Sequence, residues 1–286
     1  MKILILGGTG MLGYGVTKAF LDPDIENYRL YVTSRLDSSS ILENNAEHFR
    51  QVGVIPFDAF ATIESGLDRL ASLEPNYIIN CIGVIKPFIH DNEASSIYVN
   101  SVFPHLLSAW AAQHKIKVIH ITTDCVFSGS RGRYTEEDPH DERDIYGQSK
   151  SLGEPNNNCM VLRTSIIGPE LHKFASLLSW AQSQKGQEVK GYTNHKWNGV
   201  TTKEYGRICK EIIDKNLYVH GKFHMFSPNH MSKFQILKML SNEFDLGLKV
   251  LPHKAETSCD RTLKSVHSLC NNLKIKPFQQ QLRDLK

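Results

Sequence analysis

The sequence predicts an α/β fold in which a doubly wound parallel sheet is joined to a smaller C-terminal domain. Three observations support this prediction. Short β-rich runs alternate with longer amphipathic stretches through the first half of the chain, the pattern of parallel strands connected by helices. The first run leads directly into a glycine-rich turn. The length of 286 residues exceeds the commonest size of one domain and leaves room for a second.

Strands are expected where aliphatic, β-branched and aromatic residues cluster, at 2–6, 28–34, 77–84, 117–123, 159–168 and 222–227. Residues 198–214, NGVTTKEYGRICKEIID, indicate a turn followed by an amphipathic helix. No repeat or linker divides the chain. We therefore expect residues 1–165 to form the sheet domain, with 200–227 returning to it. Residues 166–199 and 228–286 would form the smaller domain.

Composition excludes several classes of function. The formal net charge of +3 is too small to indicate a nucleic-acid or membrane partner. The six cysteines contain no C-x-x-C pair, which argues against a metal site and a disulfide framework and favours a reducing compartment. The apolar run after Met1 is too short for a signal peptide, and no later stretch would span a membrane. A cytoplasmic location is expected.

The glycine-rich turn GGTGMLG follows the first predicted strand. Gly7, Gly10 and Gly13 satisfy a dinucleotide-binding fingerprint, and Met11 and Leu12 would begin the helix behind it. Glycine permits a tight turn and lets a pyrophosphate approach the backbone N–H groups at the helix N-terminus. A Rossmann-like fold is therefore predicted, although a plain strand-to-helix turn is the alternative.

The end of the second strand bears on the choice of cofactor. A carboxylate there normally binds the ribose 2′-hydroxyl of NAD, but this strand ends at Ser34 and Arg35, with no carboxylate until Asp37. A guanidinium matches a 2′-phosphate. NADP is therefore expected and NAD is left open, because an arginine after a strand is also common on protein surfaces.

The stretch DIYGQSKSLGE places Tyr146 and Lys150 one helical turn apart. At that distance an ammonium can lower the pKa of a phenol. The spacing alone has little meaning, because the same Tyr-x-x-x-Lys pattern occurs at Tyr14/Lys18, Tyr192/Lys196 and Tyr218/Lys222. What surrounds each pair must decide.

The surroundings of Tyr146 resemble those in extended short-chain dehydrogenases/reductases. The glycine turn lies at the N-terminus, ITTDCVFSG follows a central strand, and the Tyr-x-x-x-Lys pair follows about twenty residues later. More narrowly, the blocks YTEEDPHDERDIYGQSKSLGE, LRTSIIG, GKFHMFS and MSKFQIL resemble the dTDP-4-dehydrorhamnose reductase group along nearly the whole chain.

This resemblance implies a catalytic set of Thr123, Tyr146 and Lys150. Tyr146 would protonate the alkoxide that forms when hydride attacks a ketone, and Thr123 would hydrogen-bond the same oxygen. Lys150 would supply a fixed positive charge and hold the nicotinamide ribose, so that Tyr146 and Lys150 also border the cofactor.

The resemblance implies further contacts with the cofactor. Asp58 resembles a carboxylate that meets adenine, and the loop after the 77–84 strand contributes Cys81, Ile82 and Gly83. Asn100 matches an asparagine that supports the catalytic helix, although a polar position on an amphipathic helix explains it equally well.

The expected substrate is a nucleotide-linked 4-keto-6-deoxy sugar, and its nucleotide stays open. Cys125 stands where the group usually has tyrosine, and Ile166 replaces an aromatic residue. Both changes affect the sugar pocket, so a UDP-linked, 2-acetamido substrate is as plausible as a dTDP-linked one. The candidate substrate contacts are Asp124, Cys125, Arg163, Ser165, Lys196, Trp197, Asn198, Thr201 and Arg261.

Other functions remain open at this point. A dehydratase would need glutamate where Cys125 stands. A bifunctional epimerase/reductase carries a cysteine there and a histidine after Gly-Pro, whereas His172 lies two places later than that pattern requires. A non-catalytic reductase-like subunit, such as the regulatory subunit of methionine adenosyltransferase, is the alternative of another class. The sequence also leaves a homodimer open.

Overall fold

The computed structural model describes residues 1–21, 27–35, 45, 47–60, 63–172 and 174–286. Its strands are β1 Lys2–Leu6, β2 Arg29–Ser34, β3 Gly53–Pro56, β4 Tyr77–Asn80, β5 Lys117–Thr123, β6 Cys159–Thr164, β7 Ile166–Ile167, β8 Glu188–Tyr192, β9 His195–Trp197, β10 Val200–Thr201, β11 Gly221–His224, β12 Met231–Ser232, β13 Lys249–His253 and β14 Cys259–Asp260.

The helices lie between these strands. They are α1 Met11–Leu21, α2 Ile63–Ala71, α3 Glu93–Ile97, α4 Phe103–Gln113, α5 Ile145–Leu152, α6 Leu177–Ser183, α7 Thr202–Asp214, α8 Lys233–Glu243, α9 Leu269–Asn272 and α10 Phe278–Arg283. A wide π-helical turn, Tyr98–Val102, joins α3 to α4, and a short 3₁₀ turn, Asp124–Val126, follows β5.

Seven parallel strands form the central sheet in the order β11-β6-β5-β4-β1-β2-β3. The chain winds outward from β1 through β3 and then returns to the other side of β1 at β4. In such sheets, ligands bind beyond the carboxyl ends of the strands at the point where the winding reverses. The predicted doubly wound α/β fold is confirmed, and it places the candidate site beyond β1 and β4.

Helices cover both faces of the sheet, because alternate residues of each strand point to opposite sides. In β1, Ile3 and Ile5 belong to the apolar cluster that includes α1 and α7, whereas Leu4 and Leu6 belong to the cluster that includes α4. All four side chains are fully buried. The continuous apolar run KILIL therefore follows from burial on both faces.

The chain returns to the sheet after residue 200. β11 pairs with β6 at the edge, and α7 packs against α1. Small residues allow the close helix contact, since a Cβ at Gly206 would lie 2.6 Å from the Cβ of Ala19, and one at Gly15 would lie 2.4 Å from the Cβ of Thr202. The boundaries of the two proposed domains stay a prediction.

The predicted strand at 159–168 is divided into β6 and β7 at Ser165. The Ser165 carbonyl accepts a hydrogen bond from the N–H of Val200 at 2.9 Å, and β7 pairs with β10 outside the central sheet. The short edge strand β3 was not predicted, because GVIP carries too few residues for a clear pattern.

The C-terminal segments form an apolar cluster of their own around α6, α8 and α10, in which the rings of Trp197 and Phe278 are in edge contact. Two small sheets border it, β12-β9-β14 and β13-β8. Within the part of the chain that the structure describes, no helix combines the length and apolarity required to cross a bilayer.

Candidate active site

The glycine turn folds against the end of β2. Gly7 has a φ of +76°, a conformation that favours glycine, and its N–H donates to the Thr33 hydroxyl at 2.9 Å. A Cβ at Gly13 would lie 2.1 Å from the Gly7 carbonyl oxygen. Both positions therefore require glycine, and the turn brings the N-terminus of α1 to the carboxyl edge of the sheet.

A cavity of about 380 Å³ opens at this edge between β1 and β4. Its lining combines the predicted cofactor positions with the predicted catalytic set: Gly10, Met11, Leu12, Arg35, Cys81, Ile82, Gly83, Thr123, Cys125, Tyr146, Lys150 and Ser165. The structure thus brings together residues from six separate parts of the chain. Backbone N–H groups at the start of α1 on one wall and a hydroxyl-rich wall opposite are suited to a dinucleotide and a carbonyl substrate.

Helix α5, which carries the candidate pair Tyr146 and Lys150, begins at a polar cap. The Asp144 carboxylate accepts a hydrogen bond from the N–H of Gly147 at 2.8 Å and pairs with the Lys86 ammonium at 2.6 Å. This cap fixes the first turn of α5. Because Tyr146 lies in that turn and Lys150 one turn later, the cap also fixes the pair.

Asn100 ties α5 to the loop after β4. Its amide oxygen accepts from the Val84 N–H at 2.8 Å, and its amide nitrogen donates to the Val84 carbonyl at 2.9 Å and the Ser149 hydroxyl at 3.2 Å. The residue is fully buried within the π-helical turn. Of the two interpretations of Asn100, these contacts favour support of the catalytic helix.

Thr123 ends β5 and caps the 3₁₀ turn that follows. Its hydroxyl accepts from the Cys125 N–H at 3.1 Å and donates to the Asp124 carboxylate at 3.2 Å. Burial raises the pKa of Asp124, while Arg261 and Lys233 oppose that shift. The Thr123 hydroxyl is therefore held in place on the wall that Tyr146 shares.

The two ionisable catalytic candidates have strongly shifted pKa values. Burial, followed by the charge of Cys125, raises the pKa of the Tyr146 phenol, and a hydrogen bond with Thr123 lowers it in part. Burial lowers the pKa of Lys150 to about 8. The sequence predicted a lowered phenol pKa, so this prediction is wrong. The Lys150 ammonium donates to the Ile121 carbonyl at 3.2 Å, and Tyr146 stays a protonated acid at neutral pH.

The three cofactor candidates at the ends of β2 and β3 differ in position. Arg35 lies at the cavity, directly after β2. Ser34 is buried beside the glycine turn, 3.0 Å from the Thr9 hydroxyl. Asp58 follows β3 at the same edge of the sheet, and its carboxylate accepts from the Phe60 N–H at 2.8 Å, but it is not among the cavity-lining residues. Asp37 lies outside the described residues.

Of the nine substrate candidates, Cys125 and Ser165 line the cavity, and Asp124 lies behind Thr123 and Cys125. Four others are held elsewhere. Arg163 is fully buried in a two-pronged ion pair with Glu154. Asn198 exchanges two hydrogen bonds with the Leu263 backbone, and Thr201 caps α7. Trp197 is buried in the C-terminal core.

Two more candidates lie on the small sheet beyond Cys125. Lys196 is exposed on β9. The Arg261 guanidinium lies 3.8 Å from the Cys125 sulfur, donates to the Phe127 carbonyl at 2.7 Å and pairs with Glu142. Arg261 therefore backs the wall of the cavity at Cys125.

Sequence reasoning missed one wall of the cavity. Glu170, His172, Ser176 and Leu177 line it from the segment between β7 and α6. The Glu170 carboxylate accepts from the Ser176 N–H at 2.7 Å and the Ser179 hydroxyl at 2.8 Å, which fixes the start of α6. The sequence signals were His172, considered above only as part of an epimerase pattern, and the position of this segment after a buried strand, at the same carboxyl edge as Thr123.

Metal chemistry finds no support among the side chains described. No group of three or more His, Cys, Asp or Glu residues is arranged to hold a metal ion within the described ranges.

Burial raises the pKa of Cys125 to about 12, so this cysteine is a neutral thiol at physiological pH.

Comparisons with known proteins show what the whole chain is similar to. The family model "RmlD substrate binding domain" matches residues 1–284. The dTDP-4-dehydrorhamnose reductase of Aggregatibacter actinomycetemcomitans is 30% identical over 236 residues, covering 78% of this chain and 72% of that protein. Methionine adenosyltransferase 2 subunit beta of Danio rerio is 24% identical over 313 residues, covering 99% of this chain and 89% of that protein.

Among solved structures, the dTDP-4-dehydrorhamnose reductase of Bacillus anthracis in complex with NADP aligns with a TM-score of 0.77. Its sequence identity is 18%, and the alignment covers 99% of this chain and 98% of that chain. This similarity shows a shared fold over the full length of both chains.

Proposed function

The chain belongs to the RmlD substrate binding domain family, and from this premise we propose that it is an NADPH-dependent reductase of the C4 ketone of a nucleotide-linked 4-keto-6-deoxy sugar. The observation that carries the proposal is the meeting of Thr123, Tyr146 and Lys150 in one cavity with the glycine turn. The related reductase from B. anthracis, whose structure holds NADP, supports the choice of cofactor. The product would enter the synthesis of a cell-surface polysaccharide.

In the proposed reduction, Tyr146, Thr123 and Lys150 have different roles. A bound nicotinamide supplies the hydride that adds to the ketone carbon. Tyr146 gives its phenolic proton to the ketone oxygen, so that the carbonyl becomes a hydroxyl group. Thr123 hydrogen-bonds the same oxygen and stabilises the negative charge that develops on it. Lys150, one helical turn after Tyr146 on α5, would stabilise the phenolate that Tyr146 becomes.

The test is NADPH oxidation with a panel of dTDP-, UDP- and GDP-linked 4-keto-6-deoxy sugars, followed by mass spectrometry of the products. A mass gain of two hydrogens in one sugar nucleotide is expected. The panel also identifies the nucleotide and the substituent at C2, which Cys125 and Ile166 leave open. Lack of turnover with every member would contradict the proposal.

Arg35 is expected to select NADPH over NADH. A charge-assisted contact between its guanidinium and the 2′-phosphate contributes on the order of 1.5–3 kcal/mol. Arg35→Asp should therefore narrow or reverse the preference, because a carboxylate repels the phosphate and accepts from the 2′-hydroxyl. Titration of both cofactors measures it, with the exposed Arg143→Asp as a charge-matched control. Equal affinity of the wild type for both cofactors would refute this assignment.

A bifunctional epimerase/reductase is the second candidate, favoured by the presence of Cys125 and His172 in the same cavity. We expect no epimerase activity, because a thiol with a pKa of about 12 is a poor base at neutral pH. Incubation with the 4-keto substrate in heavy water, without NADPH, should leave C3 and C5 of the sugar undeuterated. Deuterium at either carbon, lost in Cys125→Ser, would instead establish the bifunctional enzyme.

A non-catalytic regulatory subunit is the third candidate, favoured by the similarity to methionine adenosyltransferase 2 subunit beta. The reductase assay discriminates the two functions. A subunit that acts by association would bind NADPH without oxidising it in the presence of any keto sugar, and would change the activity of an added methionine adenosyltransferase.

A further inference from the structure

A small three-stranded sheet lies near Cys125, on the outside of the cavity wall. Its order is β12-β9-β14, and Ser232, Lys196 and Asp260 lie side by side across it. Neighbouring residues along a strand point to opposite faces. Trp197 therefore lies on the face opposite to Lys196, and the ammonium of Lys233, the first residue of α8, lies beside its ring. Arg261 directly follows Asp260.

The small sheet approaches the cavity at Cys125. The Arg261 guanidinium lies 3.8 Å from the Cys125 sulfur, and Cys125 lines the cavity. The Lys233 ammonium lies 5.8 Å from the centre of the Trp197 ring. Burial lowers the pKa of Lys233, and the Asp124 carboxylate opposes that shift. Arg261 thus backs the cavity wall at Cys125, and Lys233, which is not among the cavity-lining residues, lies beside Trp197 at the same small sheet.

The charged groups near Cys125 differ in whether they have a hydrogen-bond or ion-pair partner. Arg261 is paired with Glu142. The Asp124 carboxylate accepts hydrogen bonds from Thr123 and from the Cys125 thiol. Among the described residues, the Lys233 ammonium has neither a hydrogen-bond nor an ion-pair partner. A poorly solvated ammonium without an acceptor is costly, so this position is suited to an anionic ligand.

The arrangement of the cavity indicates which anionic group would bind Lys233. The cofactor would occupy the glycine-turn side, which leaves the Cys125 side of the cavity, backed by Arg261, for the substrate. Resting on the proposed function, we propose that Lys233, at the N-terminus of α8, binds the diphosphate of the nucleotide-sugar substrate, with Arg261 beside it. Lys233 is the first residue of this 11-residue helix, where N–H groups also attract negative charge. Lys233 thereby takes the place expected for Lys196.

Lys233→Met should weaken binding of UDP or dTDP, whichever the wild type binds, by about 10- to 100-fold, the range for a hydrogen bond to a charged group. Titration calorimetry measures it, and the matching nucleoside without phosphates is the second probe. Nucleoside binding should change little, KM for the sugar nucleotide should rise more than kcat falls, and NADPH affinity should be retained. Lys233→Arg should restore most of the affinity.

Lys238→Met is the matched control, because Lys238 is an exposed lysine on the same helix with its ammonium 5.5 Å from the Phe234 ring centre. An equal loss in this variant, or unchanged UDP and dTDP affinity in Lys233→Met, would overturn the inference. Failure of reduction while UDP or dTDP binding still depends on Lys233 would count against the proposed function alone. If the enzyme reduces the sugar nucleotide but UDP or dTDP binding does not depend on Lys233, only this inference is contradicted.

Discussion

Tyr146→Phe should lower kcat by about 10²–10⁴-fold, the usual contribution of a general acid, while NADPH binds with nearly unchanged affinity. Phenylalanine keeps the ring and its packing but removes the proton that the ketone oxygen must receive. The phenol is buried on the same cavity wall as Thr123 and remains protonated at neutral pH. Single-turnover reduction with preloaded NADPH measures the loss at the chemical step.

Tyr14→Phe is the control, because Tyr14 has the same spacing to a lysine but lies on α1 against His48, with ring centres 4.2 Å apart. It should leave the chemical step unaffected. If Tyr146→Phe kept near-normal turnover at saturating substrate, α5 could not be the catalytic helix, and the proton would have to come from elsewhere in the cavity.

Arg163→Met should lower the free energy of unfolding by about 3–5 kcal/mol, the cost of leaving a buried charge without its partner. The Arg163 guanidinium donates to Glu154 at 3.0 and 2.6 Å and to the His224 ring at 2.6 Å, and both side chains of the ion pair are almost wholly buried. Substrate KM should change little in the fraction that remains folded. Urea unfolding measures the stability, and steady-state kinetics measures KM.

The double variant Arg163→Met/Glu154→Met should recover much of this loss, because it removes both charges together. Lys249→Met, which breaks an exposed pair with Glu188, should have little effect. A raised KM with unchanged stability in Arg163→Met would restore the interpretation that Arg163 binds substrate.

The same cluster should make the protein sensitive to acid. Burial and then Arg163 lower the pKa of His224 to about 4. Arg163 lowers the pKa of Glu154 despite its burial. Both groups have folded pKa values below their unfolded ones. Their stabilisation is therefore complete above the unfolded histidine value of about 6.5 and declines as the pH falls below it.

Features that depend on residues close together in the chain could be predicted from the sequence, whereas features that depend on contacts between distant residues could not. The glycine turn and the Tyr146–Lys150 pair are local patterns, and the order of βαβ units brings them to one edge of the sheet. The position of Arg163 depends on Glu154 and on His224, 61 residues later. The pattern of a buried strand does not disclose these partners.

Lys233 shows the same limit. Its neighbours Trp197 and Arg261 come from segments far apart in the chain, and only the pairing of β12, β9 and β14 brings them together. Asn100 was recognised by resemblance, but its contacts depend on the π-helical turn, which no residue pattern in YVNSV announces.

Because of that π-helical turn, the number of residues between α3 and α4 is constrained more strongly than their identity. Each residue of an α-helix advances about 100° around the axis. A one-residue deletion within Tyr98–Val102 would convert the wide turn to an ordinary one and rotate α4 by roughly that angle relative to α3. Buried Phe103 and Leu107 would then turn away from the sheet, or Asn100 would lose Val84 and Ser149. Natural variants should therefore differ here in residues but keep the same number of them.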